Sequence, residues 1–165
     1  MTCEQICNDL ERLKAAGAPL EALLDRAVSR LHETHPKFHW TGIYELFDDD
    51  LLRLGPFVGA PTDHVFIGVG QGVCGTAVAE KRNINVPDVT KVSNYLACST
   101  ATKSELVVLI RMGEAIFAQI DVDSHELNAF DDASVEVVER VAGWLAAEYA
   151  RHRAPSGGRV ASGPA

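Results

Sequence analysis

A chain of 165 residues with 47% apolar and 23% charged side chains can bury one sizeable core without disulfide or metal staples, which sets aside disorder over most of its length. Its 15 basic and 23 acidic side chains leave a net charge of −8, a balance that repels nucleic acid and anionic membrane surfaces alike. No apolar run is long enough to span a bilayer, and MTCEQICNDLERLK carries acids where a secretion signal needs an apolar centre, so the expected compartment is the cytosol.

Ile6, Leu10 and Leu13, then Leu20, Leu23, Leu24, Val28 and Leu31, recur at helical spacing around Gly17 and Pro19 and predict two opening helices. Pro36 ends the second. FHWTGIYELF and LLRLGPFVGA flank Asp48-Asp49-Asp50 as an antiparallel hairpin. HVFIG predicts a strand and VCGTAVAEKR a short helix. The nineteen residues from about Asn85 to Lys103 read as an irregular loop, long enough to expect a function for it. ELVVLIRM and EAIFAQIDVD form a second hairpin about Met112-Gly113. Phe130 to Ser134 opens a last helix, with Val135, Val138, Val141 and Leu145 in one stripe, that runs to about Arg151. The expectation is a single α+β domain over residues 1–151, an antiparallel sheet with helices packed on it, two at the N-terminus and a long one at the C-terminus. Residues 152–165, rich in Pro, Gly, Ser and Ala, are expected to be a disordered tail.

GQGVCG matches GxGxxG at Gly70, Gly72 and Gly75, the pattern of a dinucleotide-binding turn. That turn wants a parallel βαβ unit and an acid about 20 residues on, where this chain has Tyr95. Glycines also let a backbone bend sharply and bring a helix N-terminus close to a negative group, and that group is Cys74 in a second reading. A thiol so placed has its thiolate favoured, although a small buried side chain at a helix start needs no chemistry. Cys98 sits among polar loop residues with no evident packing role, and two thiols able to meet supply a nucleophile and a resolving partner. Cys3 and Cys7, four apart on the first helix, read as incidental. No cysteine spacing suggests a metal site, and no cofactor is implied.

Glu105 opens a strand, and Asp121 and Asp123, two apart on another, point to one face. Two carboxylates side by side repel unless a cation lies between them or one holds a proton. A substrate ammonium meets the first condition and a proton donor the second, while Asp123-Ser124 also suits a plain turn.

WTGIYEL (40–46), LGPFVGAP (54–61), GVCGTAVAEK (72–81), VPDV (86–89), LACS (96–99), KSELVV (103–108) and DVDS (121–124) together resemble the free methionine-(R)-sulfoxide reductases, which are single GAF domains. The resemblance implies a GAF sheet and a small closed pocket for free methionine sulfoxide. It implies Cys98 as attacking nucleophile and Cys74 as its partner in a Cys74–Cys98 disulfide recycled by a thioredoxin-like dithiol. Glu105, Asp121 and Asp123 match the family's substrate-binding and proton-donating carboxylates, and Trp40 and Tyr44 match aromatics beside the substrate's methyl end. GAF domains also pair through their terminal helices, which makes a homodimer an expectation.

The chain departs from the family at three places. Asp63-His64 stands where a further, resolving cysteine is usual, LACS replaces HIACD, and VVLI replaces VVPI. Either Cys74 takes over resolution, or turnover is lost and the domain is a small-ligand sensor or a thiol redox sensor.

Overall fold

The computed structural model describes residues 1–96 and 100–153. Helix α1 (Cys3–Ala15) starts on a reciprocal cap, Thr2 Oγ1 accepting from the Gln5 amide and Gln5 Oε1 from the Thr2 amide. Helix α2 (Leu20–Thr34) follows Pro19 and buries Leu23, Leu24, Ala27, Val28 and Leu31 along one stripe. Strands β1 (Trp40–Phe47) and β2 (Leu51–Val58) are joined through Asp48 and Asp49, both left-handed at φ 51° and 61°. That pair of positive angles makes the twisted turn a hairpin prefers, and Asp tolerates it because its side chain bonds locally.

Strand β3 (Phe66–Gly68) and helix α3 (Gly72–Glu80) come next, then strand β4 (Ile84–Val86) and a 3-10 turn at Val89–Lys91. Strands β5 (Ser104–Met112) and β6 (Ala115–Ser124) form the second hairpin, and helix α4 (Asp132–Arg153) closes the fold behind Asp131, whose Oδ1 accepts from the Ser134 amide at 2.8 Å. Among the described residues no helix is long and apolar enough to cross a membrane.

The strands make one antiparallel sheet in the order β3-β2-β1-β6-β5-β4. One face buries Ile43, Leu106, Val108, Ile110, Ile120 and Val122 against α1, α2 and α4. The other carries Trp40, Tyr44, Val107 and Leu109 under α3. Because β3 and β4 lie on opposite edges, the chain between them must cross the whole sheet, and α3 is that crossing.

Two expectations are corrected. The loop from about Asn85 is not irregular at its start: Ile84 and Val86 pair with Val107 and Glu105, and Asp88 caps the 3-10 turn through the Thr90 amide. A three-residue strand with Asn85 at its centre offers too little alternation to be read from sequence. The last helix runs two residues further than about Arg151, so His152 and Arg153 are helical rather than tail; residues 154–165 lie outside the described residues. Basic residues in that last turn favour the helix's negative end, which extends it.

Candidate active site

Register builds the site. Glu105 on β5 stands directly opposite Asp123 on β6, and Val107 opposite Asp121. On the other side of β6, Trp40, Gly42 and Tyr44 of β1 stand opposite Asp123, Asp121 and Gln119. Residues paired across an antiparallel ladder share a face, so three acids, a glutamine and two aromatics converge beneath α3. A bulge makes this so. The turn pairs Met112 with Ala115 and Arg111 with Ile116, but Ile110 pairs with Ala118, leaving Phe117 as an extra residue in β6. Were Phe117 paired in the ladder instead of bulged out of it, Glu105 would lie opposite Val122, and both aspartates would point to the helical face.

Cys74 sits in the first turn of α3, 4% exposed, with its Sγ 3.8 Å from Glu105 Oε1. Its carbonyl accepts from Gln119 Nε2 at 3.1 Å, which pins α3 to the sheet. The ligand atoms of Cys74, Glu105 and Asp121 all lie within 4.8 Å of one another. Gly75 is a requirement here: a Cβ at that position would fall 2.4 Å from the Gly68 carbonyl, so only glycine lets the helix start against the end of β3.

The glycine run is spent on the chain itself. The amides of Gly70, Gln71 and Gly75 donate to the carbonyls of Gly75, Gly68 and Gln71, and the Gly72 amide donates to Asn94 Oδ1 at 3.3 Å. Those donors are not available to a phosphate, and no parallel pair flanks α3. The run presents a thiol.

Trp40 lies flat over Gly42, where a Cβ would meet its ring at 2.4 Å. Its Nε1 donates to the Ala60 carbonyl at 3.0 Å, and it stacks on Phe57 at 5.6 Å. Tyr44, 6.3 Å from Trp40 between centroids, donates its hydroxyl to the His64 carbonyl at 2.8 Å. Both aromatics are thus fixed at the polar end and turn their rings to the acid cluster.

Burial dominates the electrostatics. It pushes the Glu105 carboxyl well above the usual range, with the charges of Asp121 and Asp123 adding to the rise. It does the same to Asp123, helped by Asp121. Asp121 is pushed up to about 6, burial again leading, with Glu105 and Cys74 beside it favouring the charged form. No ion pair reaches these three acids among the described residues, and neither Asp121 oxygen nor Asp123 Oδ1 has a hydrogen bond of ordinary geometry. Crowded, buried carboxyl groups of this kind are relieved either by keeping a proton or by meeting a cation.

Of the residues named from sequence, Cys74, Glu105, Asp121, Asp123, Trp40 and Tyr44 share this one face. Cys98 lies outside the described residues. Cys3 and Cys7 belong to α1, on the opposite face of the sheet; burial, with Cys3 beside it, raises the Cys7 thiol. Sequence reading missed Gln119 and Asn94. Gln119 was recoverable, because alternation puts it with Asp121; nothing in the pattern marks Asn94 as the residue that bonds both Gly70 and Gly72.

The family model for the GAF domain matches residues 17–147. Over 104 residues the chain is 38% identical to GAF domain-containing protein A of Dictyostelium discoideum, covering 63% of this chain and 65% of that protein. Over 125 residues it is 36% identical to the free methionine-R-sulfoxide reductase of Escherichia coli K12, covering 76% of this chain and 74% of that one. The X-ray structure of the Neisseria meningitidis free methionine-R-sulfoxide reductase in complex with its substrate superposes with a TM-score of 0.80 at 29% identity, over 91% of this chain and 90% of that chain. The chain belongs to the GAF domain family and, within it, to the free methionine-R-sulfoxide reductases.

Proposed function

We propose that this chain reduces free methionine-(R)-sulfoxide to methionine. The observation that carries the reading is the set of three buried carboxyl groups gathered on one sheet face around a thiol, none of them ion-paired among the described residues. A free amino acid brings the missing cation as its ammonium, which a methionine inside a peptide cannot. Trp40 and Tyr44 form the apolar wall against which its thioether end packs.

In the reaction the Cys98 thiolate attacks the sulfoxide sulfur while one protonated carboxyl group, Glu105 or Asp123, gives its proton to the sulfoxide oxygen. From the sulfur-bound intermediate the hydroxyl shifts to the Cys98 sulfur as the substrate's bonds to oxygen and to Cys98 break, so methionine leaves and Cys98 is left as sulfenic acid. Cys74 then attacks that sulfur, water departs, and a Cys74–Cys98 disulfide is left. An external dithiol of the thioredoxin kind restores both thiols by exchange. Asp63-His64 occupies the place of the family's further cysteine, so resolution falls to Cys74, the thiol seated on the carboxyl cluster.

The test offers both epimers of free methionine sulfoxide with a dithiol. Turnover of the R epimer alone, abolished by Cys98→Ser, supports the reading, and a first-turnover burst that survives Cys74→Ser identifies Cys74 as the resolver. Binding of methionine with no turnover of either epimer makes the domain a sensor instead.

A further inference from the structure

Cys74, Glu105 and Asp121 differ from an ordinary acid cluster in their chemistry. One donor is sulfur, two are carboxylate oxygens, all three side chains are buried, and their ligand atoms lie within 4.8 Å of one another. Zinc bonds of about 2.3 Å to sulfur and 2.0–2.2 Å to oxygen put tetrahedral ligand atoms roughly 3.5 Å apart. The 3.8 Å between Cys74 Sγ and Glu105 Oε1 is close to that spacing already. An independent observation points to an occupant. Asp121 is fully buried, yet neither of its oxygens makes a hydrogen bond of ordinary geometry, and Asp123 Oδ1 next to it makes none either. Buried carboxylate oxygens left without donors are costly unless something positive meets them.

We propose that this face is also a binding site for a borderline-soft divalent cation of the Zn2+ class, held by Cys74 Sγ, Glu105 and Asp121 with a fourth position open to water. The sulfur ligand and the small donor set select Zn2+ or Cd2+ over Mg2+ and Ca2+, which need more oxygen ligands. As the sulfur–metal bond forms, the Cys74 thiol proton leaves to solvent. The bound metal occupies the space of the substrate ammonium and ties up the Cys74 sulfur, so the metal-loaded chain can neither bind substrate nor close a disulfide. The metal site itself does not depend on the reductase reading; it stands on the donor set alone.

The experiment uses the full chain carrying Cys3→Ser and Cys7→Ser, stripped with a chelator and kept reduced by a phosphine. Cd2+ is titrated and the ultraviolet thiolate-to-cadmium band recorded, then Zn2+ is added to displace it. One equivalent should saturate the band, and Mg2+ or Ca2+ in roughly hundredfold excess should leave it unchanged. Cys74→Ser should remove the band. Asp121→Asn and Glu105→Gln should each weaken binding by about 100-fold or more, since loss of even an outer partner of a metal ligand costs 10–100-fold. A band that persists in Cys74→Ser, or that saturates as tightly in a folded Asp121→Asn or Glu105→Gln chain as in the parent, overturns the proposal. So does the lack of a stoichiometric band in the parent, whether or not that chain reduces methionine sulfoxide.

Discussion

The two faces of this sheet are made by alternate residues of the same strands, yet they handle a buried acid in opposite ways. On the helical face Leu106, Val108, Ile110, Ile120 and Val122 are apolar, and the buried acid Glu148 meets Lys14 and Arg151 at 2.5 and 2.8 Å. Burial pushes Glu148 up, but its two cationic partners more than reverse this and leave it below the usual range. On the α3 face the same strands present Glu105, Gln119, Asp121 and Asp123 with no ion pair among the described residues, and the acids rise. A paired acid is structure, whereas an acid left without a counterion is stability withheld until a ligand arrives.

Mutation should separate the faces. The largest effect belongs to Cys98→Ser, which removes the proposed nucleophile and should lower turnover of free methionine-(R)-sulfoxide by roughly 10^3-fold or more in a coupled assay. Next come Glu105→Gln and Asp123→Asn, each expected to cost about 10^2-fold or more, because the neutral amide cannot deliver a proton and no longer attracts an ammonium. Their effect on folding has the opposite sign: with fewer like charges to bury, the melting temperature of the ligand-free chain at pH 8 should rise. Glu148→Gln should do the reverse, leaving turnover unchanged and destabilising by about 1 kcal/mol or less, since Lys14 is partly exposed and screened by solvent. A Glu148→Gln chain that loses activity while folded, or an Asp123→Asn chain that melts lower at pH 8 than its parent, would break the contrast.

The faces should also respond oppositely to pH. Carboxyl groups whose folded value is raised bind more protons folded than unfolded, so their contribution is present below about pH 4 and is lost as pH rises. For Asp121 that loss is complete by about 6, and for Glu105 and Asp123 it extends higher. Glu148, lowered by its partners, contributes at neutral pH and loses that contribution as pH falls through the ordinary carboxylate range. Thermal melts of the metal-free chain should therefore peak on the acid side of neutrality. Asp121→Asn should flatten the alkaline limb and Glu148→Gln the acid limb; a melt profile insensitive to Asp121→Asn refutes the assignment of that limb.

The helices, both hairpins and the common face of Asp121 and Asp123 were legible because period and alternation are local. That Glu105 joins those two aspartates was not, because it depends on one unpaired residue. Phe117 looks like any other member of an apolar strand, yet counting it as a paired residue from the Met112–Gly113 turn puts Glu105 opposite Val122 and not Asp123. The edge strand β4 escaped for a similar reason, its three residues taking their conformation from β5 and not from their own pattern. Cys74 was legible as a thiol at a helix start. That it lies over the acids follows from α3 crossing between opposite sheet edges, a long-range fact.

Asn94 gives a small expected effect on turnover and the sharpest test of how the α3 face is held. Its Nδ2 donates to the Gly70 carbonyl at 2.9 Å and to Thr76 Oγ1 at 3.4 Å, while its Oδ1 accepts from the Gly72 amide. Leu96 lies against Gly72, where a Cβ would meet it at 3.0 Å. One side chain thus fastens residues 94–96 to the turn that carries Cys74. The hydrogen bonds are partly exposed, so Asn94→Ala should cost only about 1 kcal/mol of stability. Kinetically the loss should fall on one step: the first-turnover burst of methionine stays within about twofold, while disulfide closure after it slows several-fold, as expected when a geometric constraint on two reacting groups is relaxed. Equal slowing of burst and closure would show that Asn94 supports the whole pocket and not the approach of the two thiols.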